Sequence, residues 1–411
     1  TIDLATNGSG NAFTSELLIT TNDNDSPTDG TYAADVTIDG GTTNLIIGAS
    51  TIDGDLTLLS GGTITDTDSS TVTVKGALSA TTDAGSSAIT LNDLAVDGSF
   101  TLAPNGTGAV TIVNDAGLNL AASTMGGTFS GTATTGDISD SGTLTITGAA
   151  TFITTAANRH IILDESDSVF ASTVTMQAGD GSNAAFGNIT FVDSAAVRLH
   201  SSAASAGDLY INASTDLAVG GNLNITATTG NITQGAAVTV TGTSSFTTLA
   251  TDADITLSSA NALGGAVTLT TAGSGGNATL DNGTTALDIA ASTVRGNLTL
   301  TSGNASGITD SGLVTVGGNF SATTDANNGD INMGTLAVTG TIALTTNDAA
   351  NNNTGHATVV NATQVTLAGS SVDGNLAVTA TTGHMTDSGA LTVTGTSSFT
   401  TSANEATITL D

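Results

Sequence analysis

ITDSGLVTVGGNFSATTDANNGD (308–330), INMGTLAVTGTIALTTNDAANNNTGHA (331–357) and TVVNATQVTLAGSSVDGNLAVTATTGH (358–384) follow one another as three lines of one pattern. Each opens on a short apolar or threonine-flanked run, alternates apolar with small polar residues through a glycine, and closes in a Gly/Asn/Asp-rich turn. In the middle line Leu336, Val338, Ile342 and Leu344 take alternate positions around Gly340, with Ala337, Thr339 and Ala343 between them. Period-two alternation sends successive side chains to opposite faces of a strand, one buried and one wet. The clusters Thr346–Asn347–Asp348 and Asn351–Asn352–Asn353 supply side chains that favour bends. No helical face is present in the stretch.

The rest of the chain repeats this pattern. Opening lines start at Ile64, Ile138, Ile232, Ile308 and Met385, a period of about 76 residues with one long copy. Each leads through an alternating run and a glycine to a bulky apolar residue: Leu78, Phe152, Phe246, Phe320 and Phe399. The third line recurs as clearly, in VTIDGGTTNLIIGASTIDGDLTL (36–58) and TLDNGTTALDIAASTVRGNLTL (279–300).

A line of this length cannot bury its apolar face alone. Stacking each line on the next buries it and sets equivalent strands side by side, in parallel. The expected fold is therefore all-β, a parallel β-solenoid. The crossover rule makes it a right-handed β-helix. Three lines per repeat give about 25 residues per coil and three coils per ~76-residue repeat. We expect residues 1–411 to form one continuous solenoid, with an irregular extra coil within 152–217. At a strand spacing of ~4.8 Å, about 16 coils would make a rod of about 80 Å. A β-sandwich array is disfavoured, because its modules need longer strands and larger core side chains.

Composition narrows the function. Hydrophobic residues reach 38% and are patterned, so the chain can bury a core. With 51 glycines and two prolines, bends fall to Gly, Asn and Asp. There is no cysteine, so cysteine usage says nothing about compartment. A net charge of −32 from 36 acids and four bases argues against nucleic acid, whose phosphates need Lys and Arg. No apolar run approaches the roughly 18 residues of a membrane-inserted span. The chain begins and stops within lines of the pattern, and is expected to be an excerpt of a longer one.

GNLTLTSGNASGITDSG (296–312) and VTVTGTSSFTT (238–248) resemble repeats of bacterial secreted β-helical exoproteins, the filamentous-haemagglutinin-like adhesins and large repetitive surface proteins. The resemblance covers nearly the whole chain and is one of pattern and composition. It implies an extracellular protein at the cell surface or in the matrix of a bacterium, which displays, spaces or attaches.

Few residues carry the pattern of a site. Stacked turns can gather the six to eight oxygens that calcium takes, and Asp23, Asp25 and Asp29 alternate through one acidic turn as candidate ligands. They lack the closing Glu of an EF-hand. Asp140, Asp310 and Asp387 recur at one place in the repeat and are expected to stand too far apart to share an ion. Arg159, His160, Arg198 and His200 lie in the irregular region and are the candidate partner contact. The acid groups Asp66/Asp68 and Asp164/Glu165/Asp167 have the residue type for glycoside hydrolysis, but neighbouring acids in turns are ordinarily solvated. Asn224, Asn297 and Asn361 open Asn-x-Thr triplets that composition alone predicts.

The sequence thus points to a non-enzymatic structural rod or filament whose partners are copies of itself or further repeats. An adhesin binding a surface glycan or receptor, and a polysaccharide-active β-helix enzyme, are the alternatives.

Overall fold

The computed structural model describes residues 1–5, 11–22, 33–67, 70–179, 187–194, 196–199, 208–211, 217–219, 221–347 and 354–411. They are strands and turns only, with no helix among them. Two compact units are formed, one of residues 1–195 with 203–212 and one of 196–202 with 213–411. In each, every strand pairing among the described residues is parallel, as stacked coils require; examples are Leu56–Ser60 on Val36–Asp39 and Leu376–Ala380 on Ala357–Asn361.

The inward set is the one that alternation predicts. Leu336, Val338, Ile342 and Leu344 are all buried, as are Leu78, Phe152, Phe246 and Phe320. Outward positions stack hydroxyls in register: Thr37, Thr57, Ser79 and Thr101 lie on successive rungs. In the first unit the rings of Phe129, Phe152, Phe170 and Phe191 form an internal column with centroids 5.2, 6.1 and 5.0 Å apart. Gly131 makes room for it, because a Cβ there would lie 2.7 Å from the Phe129 ring and 2.7 Å from Leu118.

Coil length differs from the expected 25. Val36 pairs with Leu56, Leu56 with Leu78 and Leu78 with Phe100, steps of 20 and 22 residues. Leu287 pairs with Ile308 and Ile308 with Ile331, steps of 21 and 23. The repeat therefore spans three and a half coils rather than three. From Ile64 one ladder climbs through Ile89, Val110 and Phe129 to Ala150. The next opening line, Ile138, is absent from it and pairs instead with Leu118 and Ile161 across the coil. The second unit behaves alike: Ile232 leads through Ile255 and Ala278 to Leu298, while Ile308 belongs to the other ladder. Within each unit, successive opening lines alternate sides.

The half-coil step comes from an exchange of shape. In the coils around Leu56–Ser60 and Leu78–Thr82 one side is a straight five-residue strand. The other side is a bent pair of three-residue strands, Ile64–Asp66 with Val72–Val74. Higher up, the straight strands are Val110–Asn114 and Phe129–Ala133, and the bent pair is Leu118–Leu120 with Ser123–Met125. Between them the eight-residue strand Ile89–Val96 sits on both halves of one bent pair and carries a straight strand above.

A straight strand under a bend leaves backbone groups unmatched, and specific side chains meet them. Ser123 Oγ accepts the Leu102 N–H at 2.9 Å and donates to the Ala121 carbonyl at 2.8 Å. Ser292 and Ser370 do the same for Leu269 and Leu344. Where a straight strand covers a bend, asparagine takes over. The Asn361 amide accepts from Val338 N–H at 2.8 Å and donates back to Val338 O and to Gln364 O. Asn114 is bound identically to Val96 and Gly117.

Candidate functional site

The polar chemistry of the molecule is concentrated at the corners of the coils. In several columns the residue just before a strand accepts, through its side chain, the backbone N–H of its counterpart one coil higher. In the second unit this column runs Asn231, Asp254, Asn277, Asn297, Asn319 and ends at the Thr341 N–H, with every bond between 2.7 and 2.9 Å. A second column there runs from Asp330 through His356 and Asn375 to Thr396. Imidazole Nδ1 takes the place of an amide oxygen in that column. The signal was present in the sequence, as an Asn, Asp or His immediately before an alternating run, but the ladder needed the coil length to be seen.

The aspartate that closes four of the five opening lines has a related task, and Gln234 stands at that place in the line from Ile232. Asp310 accepts from Gly334 N–H at 2.8 Å and Thr335 N–H at 2.7 Å. Asp66 accepts from Asp93 N–H, Asp140 from Asp164 N–H and Asp387 from Asp411 N–H. Each ties its coil to the backbone of the next. Asp140 is only 9% exposed, and its Oδ2 is buried with no hydrogen-bond partner. Burial pushes its carboxyl up to about 6, and the nearby Asp164 carboxylate adds to the shift. Burial also raises Asp66, against the backbone bonds that favour its ionised form.

The residues singled out in the sequence are therefore distributed, not gathered. His160 belongs to a corner column of the first unit: its N–H donates to Asp137 Oδ1 at 2.9 Å and its Nδ1 accepts from Asn188 N–H at 2.9 Å. Arg159 reaches the same Asp137 at 4.0 Å, with both side chains partly exposed. Arg198 lies in the strand Ala196–Leu199, opposite Thr233. His200 and the proposed calcium ligands Asp23, Asp25 and Asp29 fall outside the described residues. Among the described residues no group of three or more His, Cys, Asp or Glu side chains is placed to hold a metal ion. Of the Asn-x-Thr triplets named above, Asn361 has its amide fully buried and spent on the bonds above, which removes it as a glycan acceptor.

A family model described as repeats of unknown function (DUF5649) matches residues 33–103, 107–177, 186–270, 275–333 and 354–411. No curated protein and no solved structure matches the chain.

Proposed function

The chain belongs to the family of repeats of unknown function (DUF5649), and from that premise we propose a structural, non-enzymatic role as the rod of a bacterial surface appendage or extracellular matrix. The observation that carries this reading is the double tie between coils. Coils are held to one another by parallel backbone ladders and, over several successive coils, by Asn, Asp and His columns at the corners. Tension along the stack is then shared among many hydrogen bonds, each worth about 1 kcal/mol net. An acidic, hydroxyl-rich exterior keeps such rods soluble and apart. The winding is right-handed, after the crossover rule. Its partners are copies of itself or further repeats, at the cell surface or in the matrix.

Electron imaging of native material with and without a calcium chelator tests the reading. Filaments with a ~4.8 Å axial layer repeat are the expected result. Loss of order on chelation would assign an ion a structural part. Monodisperse globules that never elongate or attach to a larger assembly would overturn the proposal.

A further inference from the structure

The same surface groove occurs at the same place in two copies of the repeat, one in each unit. TIVNDAGLNLAASTM (111–125) and TVVNATQVTLAGSSV (358–372) align residue for residue, with Asn114 over Asn361 and Gly117 over Gln364. Each buried asparagine ties the turn that follows it, through Asn114 Nδ2 to Gly117 O at 2.6 Å and Asn361 Nδ2 to Gln364 O at 2.7 Å. Beside each tied turn lies a cavity of ≈ 310 Å³. That is the lower end of the about 300–1,000 Å³ usual for small-molecule sites. Its walls are held by the fold, so occupancy would cost little ordering of the chain.

The lining defines the ligand class. In the first unit the polar lining is Asp97, Asn119, Asp137 and Ser139. In the second it is Thr339, Thr363, Gln364 and Thr382. An anion suits neither groove, since the first presents two carboxylates and the second no cation. A cation fits poorly too: Asp97 is already bound by Lys75 at 2.9 Å, Asp137 faces Arg159, and the second groove has no acid in its lining. Lys75 and Arg159 are two of only four basic residues in the chain, and both neutralise the first groove. What the two share is a set of hydroxyl and amide groups that pair with hydroxyls, to which the first adds two carboxylates. We propose that these grooves are repeat-encoded subsites for a neutral saccharide. With no aromatic platform, each subsite binds weakly, and a chain of repeats gains by multivalency.

Saturation-transfer NMR on the intact chain tests this independently of the rod reading, since filaments need no saccharide. Cellotetraose, maltotetraose and mannotetraose at millimolar concentration are the neutral probes, and tetragalacturonate is the acidic one. Transfer to at least one neutral probe is expected, falling about tenfold in the double variant Ala116→Phe/Thr363→Phe, as loss of one or two hydrogen bonds implies. If that variant is misfolded by circular dichroism, Asn119→Ala/Gln364→Ala removes polar groups without filling the grooves and should show the same loss. No transfer to any neutral probe, undiminished transfer in the variants, or preference for tetragalacturonate would each overturn the proposal.

Discussion

Asn361 shows how much one side chain does where coils change shape. Its carboxamide replaces a strand's worth of pairing for Val338, accepting from the N–H and donating to the carbonyl of one residue. Asn361→Ala should cost about 2–3 kcal/mol, because buried backbone groups are left unpaired at about 1–3 kcal/mol each. Urea unfolding of the two proteins measures it, and a change below the error of the method would show that water fills the role. Asp140 gives a pH signature. Its folded pKa, near 6, lies above the unfolded value near 3.8, so the native state holds this proton more tightly. The stabilisation is complete below the unfolded pKa and is lost as pH rises through 6. Relative to Asp140→Asn, the wild type should therefore be more stable at pH 5 than at pH 7, by a margin of order 1 kcal/mol. Thermal melts of both proteins at the two pH values decide it, and equal differences would mean that Asp140 does not titrate in this range.

The strand Phe129–Ala133 is tightly constrained, since it holds both a ring of the phenylalanine column and the glycine that clears space for it. Gly131→Leu should destabilise by about 1–3 kcal/mol through overpacking. Pairing it with Phe129→Leu should restore part of the loss, because the side chains compete for one volume. A double-mutant cycle in denaturant reads the coupling; strict additivity would place the clash elsewhere. Strands as elements were legible in the sequence, inward and outward faces included, because alternation is a local property: Leu336, Val338, Ile342 and Leu344 are buried as alternation predicts. Their partners were not legible. Both sides of a coil bury every second residue, so a line shifted by half a coil keeps the same pattern and sequence periodicity is blind to the shift. The opening-line aspartates were likewise visible as a repeated feature, but that each accepts an N–H about one coil onward follows only from the true coil length.

At the scale of the molecule, three and a half coils per repeat make two repeats the smallest whole-coil block. Thr233 and Thr386 hold the same place in opening lines two repeats apart in the second unit. The ladder between them has seven steps, through Ile255, Ala278, Leu298, Phe320, Ile342 and Leu367 to the Met385–Asp387 strand. Spin labels at Thr233→Cys and Thr386→Cys should thus lie about 35 Å apart, seven rungs of ~4.8 Å with a small lateral offset. Three coils per repeat would give about 29 Å by the same spacing. Dipolar spectroscopy separates the two, and the shorter distance would refute the half-coil repeat.

That half-coil step gives each stack the symmetry of a two-fold screw: advance one repeat, turn half-way round, and the pattern coincides with itself. A body of that symmetry has no front and no back. Whatever flat partner it settles on meets the same succession of side chains whichever way it has rolled. A recombination event that drops or gains one repeat turns the remainder over without altering what it shows. Length is then free to drift in inheritance while the exterior stays constant, a freedom that a repeat of whole coils, with one decorated side, would not have.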